Sequence, residues 1–215
     1  MDWPTIAQVG TAAGTLVLAI ATYASVRESR RSSRIAEETL ALNLRPVLVT
    51  SRVDDPPLEV MFGDGRYLKV QGTTAAVEVE LGNVWLGIAL RNAGAGLAVI
   101  NGWRITHREQ RVSASRDEMQ QPSLDQFRPH TRDLYVPAGD IGFWQGAIRE
   151  PYDGDREETI AVIEEGEDVL IVDLLYGDHR GGQQAISRFS LRPQEDGRWL
   201  SQVVRHWEVD ATELK

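Results

Sequence analysis

The sequence predicts a mainly β protein: an N-terminal transmembrane helix and helical stalk, followed by an immunoglobulin-like antiparallel β-sandwich with one or two short helices. Three observations predict this class. Residues 5–26 carry no charged side chain, residues 27–45 contain neither glycine nor proline, and the remaining chain alternates short apolar segments with turn residues. We therefore divide the chain into an anchor (residues 1–26), a basic collar and stalk (27–45) and a sandwich domain (46–215).

The anchor is predicted from its length and its lack of charge. At ~1.5 Å of rise per residue, a helix over residues 5–26 crosses the ~30 Å hydrocarbon core of a bilayer. Trp3 and Tyr23 suit the two membrane interfaces. Small residues fill much of the segment, so a buried helix of a soluble domain is the alternative. We expect the membrane helix because buried globular helices are usually shorter than this uncharged run.

Charged residues beside the anchor predict its orientation. Asp2 precedes it without any basic residue, whereas four arginines follow it within residues 27–34. Because basic residues stay on the cytoplasmic side, we expect a single-pass protein of the inner (cytoplasmic) membrane, with its N-terminus outside and its C-terminal domain in the cytoplasm. A secretory signal peptide would carry its positive charge before the apolar run.

Two features of the helical region suggest self-association. Gly10 and Gly14 form a GxxxG pair, which allows a second helix to approach closely and predicts a homodimer. Ala36, Leu40 and Leu44 form a narrow apolar stripe that either docks on the chain's own domain or extends a parallel dimer seam. Pro46 is expected to end the helix.

Composition excludes several function classes. The formal net charge is −9, and the basic residues of the collar leave the rest of the chain still more acidic. Nucleic acid is therefore not an expected partner, because its binding needs clustered lysine and arginine. The chain contains no cysteine, which removes disulfides, thiolate nucleophiles, zinc fingers and iron–sulfur clusters.

Period-two hydrophobicity and turn residues predict the strands of the domain. One helix is predicted at residues 155–165, where Asp155 can cap and Glu158 completes a capping box. Residues 108–130 are polar and predict an exposed excursion with a short helix at residues 116–120. The predicted strands are residues 47–53, 58–62, 66–70, 75–81, 83–92, 97–107, 134–136, 141–148, 169–176, 183–191 and 199–209.

The glycine-rich stretch at residues 92–96 (NAGAG) admits two interpretations. A nucleotide-binding turn would carry a third glycine and would precede a helix that offers N–H groups to phosphate. The sequence has neither feature, so we interpret the stretch as a tight connection between strands.

No catalytic, cofactor-binding or metal-binding residue is predicted, and we expect no enzymatic activity. The histidines, at positions 107, 130, 179 and 206, show no metal-ligand spacing. Asp178, His179 and Arg180 form the most polar turn, with Asp173 nearby in sequence. A hydrolase would also need a nucleophile beside His179, and no nucleophile elbow is present. A hairpin turn recruits these residue types for its own geometry.

The tryptophans that follow the anchor fall on predicted strands, where core packing is their ordinary role. Trp199 and Trp207 lie eight residues apart on the last strand. If both faced outward, they would mark a surface for a partner.

The order of parts resembles a group of uncharacterised bacterial single-pass membrane proteins. The resemblance rests on Leu44, Arg45 and Pro46 at the start of the β-domain and on residues 91–96 (RNAGAG). It extends to residues 133–140 (DLYVPAGD) and 173–179 (DLLYGDH). It implies the same architecture and carries no activity with it.

Three functions remain open from the sequence. The first is a membrane-anchored, non-enzymatic β-sandwich module that presents an interaction surface to an unknown protein partner. The second is a ligand-sensing domain that signals through the stalk, which requires a cavity with a few converging polar groups. The third is a hydrolase that uses the turn of Asp178 and His179. No cofactor is expected.

Overall fold

The computed structural model describes residues 3–108, 120–149, 153–154, 156–179 and 183–209. The chain divides into two compact units, Met1–Asn43 and Leu44–Lys215. The short helix predicted at residues 116–120 lies outside the described residues except for Gln120, and so does the capping residue Asp155.

The first unit consists of one long helix, α1 (Trp3–Asn43). It ends three residues before Pro46, as expected. Leu16, Leu18 and Ile20 are 63%, 68% and 62% exposed. The hydroxyl of Thr22 donates to the carbonyl four residues earlier, at 2.7 Å. Within the described part of the chain, no helix combines the length and apolar character that a membrane crossing needs.

The second unit is built from strands, as the alternating pattern predicts. Its regular elements also include α2 (Arg156–Glu165) and a 3-10 turn at Leu124–Gln126. The strands among the described residues are β1 (Leu48–Thr50), β2 (Leu58–Met61), β3 (Tyr67–Val70), β4 (Thr74–Glu80), β5 (Asn83–Asn92), β6 (Ala98–Arg108), β7 (Arg128–Val136), β8 (Ile141–Ile148), β9 (Val169–Gly177), β10 (Gln184–Pro193) and β11 (Trp199–Val209).

Nine of these strands form one curled antiparallel sheet. Its order is β1-β5-β4-β11-β10-β9-β6-β7, and β8 pairs with β5 on the other side. The prediction of a mainly β antiparallel domain is confirmed. These strands nevertheless form a single hydrogen-bonded sheet, because β4 pairs with β5 on one side and with β11 on the other. The contact between β4 and β11 consists of two residue pairs, Trp199 with Ala75 and Leu200 with Thr74.

The core lies inside the curl of this sheet. Alternate residues of β5 point into it, including Leu86, Ile88 and Leu90, and they pack with Trp144 of β8 and Phe189 of β10. All five are buried. Burial of large aliphatic and aromatic side chains contributes roughly 1.5–3 kcal/mol each, so this cluster is the main source of the domain's stability.

The β2–β3 hairpin covers the outer face of β5 and forms a second, smaller cluster. Val60 and Leu68 of the hairpin pack there against Trp85 and Ala89 of β5. Gly87 permits this close approach, because a Cβ at its position would lie 3.2 Å from a methyl carbon of Val70. Strand β5 is therefore buried on both faces.

Helix α2 agrees with the predicted helix at residues 155–165. Its buried residues are Thr159 and Val162. Gly166 ends it in the left-handed region, at φ +63°, and its N–H donates to the carbonyl of Val162 at 3.2 Å.

Strand β7 begins six residues earlier than predicted, at Arg128. Its first residues are polar and include Pro129, which lacks the N–H that a central strand needs. The strand is nevertheless possible because β7 is an edge strand that pairs with β6 on one side only. On such a strand, the missing N–H of Pro129 is tolerated. The register with β6 shifts there, and four residues of β7 lie opposite Asn101.

The glycine turn at residues 92–96 holds the first residues of the domain in place. A Cβ at Gly96 would lie 1.6 Å from the carbonyl oxygen of Leu44, and one at Gly94 would lie 2.1 Å from that of Arg45. The Asn92 side chain donates to the Gly96 carbonyl at 2.6 Å and accepts from the Val47 N–H at 3.1 Å. The turn is thus a structural connection, as the sequence indicates.

Candidate functional site

A basic cleft opens between β7 and β8, and we call it the seam cleft. Its volume is about 500 Å³, within the ~300–1,000 Å³ of typical ligand sites. Three arginines and a histidine contribute to its walls, with one aspartate among them. Its lining residues are Phe62, Gly63, Trp103, Arg128, Pro129, His130, Thr131, Arg132, Gln145, Gly146, Ala147, Arg149 and Asp153.

The cleft exists because β7 and β8 follow one another in sequence but pair elsewhere. A turn at residues 137–140 connects them, yet β7 pairs with β6 while β8 pairs with β5. The two strands therefore diverge from the turn. With its amide oriented to satisfy both neighbours, Gln145 accepts from Arg132 at 3.2 Å and donates to the Met61 carbonyl at 3.1 Å. This contact marks the narrow end of the cleft.

At the wide end, Arg128 is held by an ion pair and by an aromatic ring. Its guanidinium forms a bidentate ion pair with Asp153, in which one nitrogen-to-oxygen distance is 2.5 Å. Its Cζ lies 5.1 Å from the centre of the Trp103 ring. Asp153 neutralises much of this charge, so Arg128 shapes the cleft more than it supplies free positive charge.

Arg132 and Arg149 supply the remaining positive charge. Arg132 has no carboxylate partner among the described residues, and its guanidinium reaches the Met61 carbonyl only at 3.4 Å. A guanidinium nitrogen of Arg149 lies 3.3 Å from a carboxylate oxygen of Asp64. The Cζ atom of Arg149 lies 6.0 Å from the centre of the Phe62 ring. Both cations are exposed, so they are available to an anion that enters the cleft.

His130 lies between these cations and is partly buried. Burial, and then the charge of Arg132, lower its pKa to about 4, so its imidazole is neutral at physiological pH. Its Nε2 atom is buried without a hydrogen-bond partner among the described residues. A ligand group in the cleft could satisfy this atom.

Trp103 lines the cleft and packs on the buried ring of Trp144. Trp103 and Trp144 pack edge to face with their ring centres 5.3 Å apart. Gly146 leaves room for these rings, because a Cβ there would lie 2.5 Å from the Trp144 ring and 3.4 Å from the Trp103 ring. The lining of the cleft therefore combines the aromatic rings of Phe62 and Trp103 with cationic side chains.

Among the described residues, Asp173 and His179 lie in different environments. Asp173 is fully buried and bonds to Arg188 at 2.7 Å and to Arg104 at 2.7 Å. His179 is exposed and lies beyond the end of β9, six residues after Asp173 in the chain. In an extended chain, six residues span ~20 Å. Arg180 lies outside the described residues. Asp173 thus belongs to a buried ion cluster on the sheet.

Trp199 and Trp207 do not form a shared outward face. Trp199 is buried in the core, whereas Trp207 is half-buried beside Arg188, whose Cζ is 4.8 Å from its ring centre. The register of β10 and β11 shifts between them. This bulge inserts one residue and reverses the alternation of faces, so residues eight apart point to opposite sides.

A serine and a histidine that the sequence analysis did not link lie close together. Ser187 Oγ is 3.2 Å from His206 Nδ1, and both approach the buried hydroxyl of Tyr176. Ser187 is fully buried, and its hydroxyl donates to the Leu48 carbonyl at 3.0 Å. The Leu48 N–H in turn donates to Tyr176 at 3.1 Å. This cluster satisfies the backbone of β1 and offers no accessible nucleophile.

No group of three or more acidic, histidine or cysteine side chains suited to a metal ion occurs within the described residues. The remaining histidine, His107, faces Glu158 of α2 at 3.2 Å. The seam cleft was not predicted from the sequence, although Arg128, Arg132 and Arg149 can be read from it. Their proximity depends on how β7 and β8 pair, which hydrophobic periodicity does not encode.

Comparison with known proteins adds little to this description. No family model matches the chain, and no curated protein matches it. Among solved structures, the chain is similar to the crystal structure of a protein from Archaeoglobus fulgidus. The two share 12% identity, with a TM-score of 0.25, over 63% of this chain and 94% of that chain. This similarity carries no argument about fold or function, and the resemblance to bacterial single-pass proteins stays a prediction.

Proposed function

We propose that this chain is a membrane-anchored, non-enzymatic module that presents the seam cleft to a protein partner in the cytoplasm. The observation that carries the proposal is the cleft itself. Arg132, Arg149 and His130 line it together with Trp103, in a chain whose net charge is −9. Positive charge gathered at one place on an acidic protein favours a partner of opposite charge.

The anchor is supported by the sequence and by the surface of α1. Residues 5–26 are uncharged, and the exposed apolar side chains Leu16, Leu18 and Ile20 call for an apolar environment or a second helix. The Thr22 hydroxyl bonds within its own helix, which lowers the cost of an apolar environment. The basic collar supports the cytoplasmic orientation. A homodimer through Gly10 and Gly14 is part of the proposal.

The finer fold class also belongs to the proposal. The link between β4 and β11 comprises two residue pairs, and strands on opposite sides of the curl share one core. These features favour an immunoglobulin-like sandwich whose layers are joined at one corner.

A ligand sensor that signals through the stalk is the second candidate function. The volume of the seam cleft, about 500 Å³, favours it, since small-molecule sites have this size. A hydrolase has less support, because Ser187 is fully buried and Asp173 is engaged by Arg188 and Arg104 in a buried ion cluster.

Site-specific photocrosslinking from solubilised membranes tests the proposal. A crosslinker at Thr131, an exposed residue of the cleft, should capture a protein adduct. A crosslinker at Asp196, in the turn before β11, serves as the matched surface control and should not capture it. The double variant Arg132→Glu/Arg149→Glu should remove the adduct. An adduct that survives this charge reversal, or that forms equally from position 196, contradicts the proposal.

A further inference from the structure

The borders of the curled sheet face one another across the seam cleft. Among the described residues, β7 pairs only with β6 and β8 pairs only with β5. The sides of both strands that face the cleft therefore carry unpaired backbone N–H and C=O groups. Such a border accepts an additional strand from another chain.

Of the two borders, that of β8 is better suited to pairing. It pairs with β5 in continuous register from Ile141 to Ile148 without a bulge. By contrast, β7 contains Pro129, which has no N–H, and its register with β6 is interrupted opposite Asn101. A regular strand presents the N–H and C=O groups of every second residue along its free border, which is the pattern that an added strand pairs with.

The side chains around this border select the charge of the added strand. Arg149 lies just beyond the end of β8 and Arg132 lies across the cleft on β7. Asp153, the carboxylate of the lining, is engaged by Arg128. Because side chains of a strand alternate between two faces, acidic residues would meet the arginines while intervening apolar residues contact Trp103, which also lines the cleft.

We infer that the occupant of the seam cleft is an extended acidic peptide segment of another protein, which adds to β8 as an edge strand. This inference rests on the proposed function and names its partner chemistry. The stretch from Gln145 to Arg149, which lines the cleft, corresponds to ~13 Å of strand. The acidic side chains bind Arg132 and Arg149, and the imidazole of His130 supplies a further hydrogen bond.

The test uses the full chain in detergent and a capped fluorescent hexapeptide that alternates glutamate and valine. A hexapeptide that alternates lysine and valine is the charge control. The acidic peptide should bind, and the basic one should not. On binding, the backbone amides of residues 145–148 that point to the free border of β8 should gain protection from hydrogen exchange, because an added strand pairs with them.

Charge reversal should weaken this binding. The double variant Arg132→Glu/Arg149→Glu is expected to reduce affinity at least ~tenfold, which equals about 1.4 kcal/mol. The variant Arg132→Gln/Arg149→Gln, which removes charge without adding repulsion, should give a smaller loss. Arg192→Glu/Arg205→Glu, two exposed arginines outside the cleft lining, changes the net charge equally and should leave affinity unchanged. Thermal unfolding of each variant reports whether it is folded.

Three outcomes overturn the inference. Inorganic phosphate that displaces the peptide at equal concentration indicates a small-oxyanion site. Peptide binding without added protection of these free-border amides excludes an added strand. Occupation of the cleft by a second copy of this chain, seen as a dimer that the Arg132→Glu/Arg149→Glu variant dissociates, names another occupant. If the crosslinked adduct at Thr131 still depends on the two arginines, the proposed function stands while the strand inference falls.

Discussion

Asp173 shows how one buried carboxylate stabilises several strands. It lies on β9 and binds Arg188 of β10 at 2.7 and 2.9 Å and Arg104 of β6 at 2.7 Å. The side chains of Asp173 and Arg188 are 1% and 6% exposed. Removing one partner of a buried pair leaves an uncompensated charge, which costs more than the pair itself contributes.

We therefore expect Asp173→Asn to lower the free energy of unfolding by about 3–5 kcal/mol, measured by urea denaturation. The control is Asp196→Asn, which breaks an exposed pair with Arg198 whose side chains are 50% and 67% exposed. That loss should be much smaller, because water screens surface pairs. Equal losses in the two variants would show that the buried cluster has no special weight.

His130 makes the stability of the domain depend on pH. Burial and the neighbouring Arg132 lower its pKa from 6.5 to about 4 in the folded state. The unfolded chain therefore binds more protons between these values. The contribution of His130 to the free energy of unfolding is therefore most favourable above about pH 6.5, where the imidazole is neutral in both states. It becomes less favourable as the pH falls toward 4.

We expect His130→Gln to have a shallower decline of unfolding temperature between pH 7 and pH 4.5 than the native chain. NMR titration of the native chain should give a His130 imidazole midpoint at about pH 4. An acidic ligand in the seam cleft should raise that midpoint, because negative charge favours the imidazolium. A midpoint near 6.5 without ligand would refute the assignment.

At the scale of elements, the glycine turn at residues 92–96 joins segments that are far apart in sequence. Asn92 contacts the lead-in residue Val47 and the Val136 carbonyl at the end of β7. The N–H of Gly139 donates to the Asn92 carbonyl at 2.9 Å. Three of the four segments on which the predicted resemblance rests, residues 44–46, 91–96 and 133–140, thus meet around this turn, which gives them a structural role.

Gly96→Ala tests this role. Its added Cβ would lie 1.6 Å from the Leu44 carbonyl oxygen, which is backbone and cannot rotate away. We expect a loss of about 1–3 kcal/mol or more in unfolding free energy. The control is Gly154→Ala, whose Cβ meets nothing within 4 Å, and it should change stability by less than about 0.5 kcal/mol. An unchanged free energy of unfolding in Gly96→Ala would show that the turn does not hold Leu44 in place.

At the scale of the whole molecule, the two units are expected to have separate tasks, location for residues 1–43 and recognition for residues 44–215. The β unit has its own core, and the chain divides between Asn43 and Leu44. A unit with its own core retains its fold when a separate segment is removed.

Deleting residues 1–26 should therefore move the protein from the membrane pellet to the supernatant, with the unfolding temperature of the β unit changed by only a few degrees. The absence of cysteine allows a labelling control for orientation. A single cysteine at Asp196 should react with a membrane-impermeant maleimide only after the cells are permeabilised. Recovery of the truncated chain in the pellet, or labelling of intact cells, would refute the anchor or its orientation.

Much of the β unit was predictable because local periodicity follows from local backbone geometry. The patterns at residues 83–92 and 141–148 predict β5 and β8 with the observed bounds. The start of β7 at Arg128 was not predictable, since Pro129 and the polar residues around it match an edge strand only when its neighbours are known. The bulge between Trp199 and Trp207 was likewise hidden, because it depends on the register with β10.

The sequence by itself determined the class of the domain, most strand positions and the helix at Arg156–Glu165, because each depends on neighbours within a few residues. Only the tertiary structure decided the seam cleft. Arg132 and Arg149 come to share it because β7 and β8 leave the same turn to pair with different strands. Strand pairing sums many distant contacts, and no local pattern in the chain records that choice.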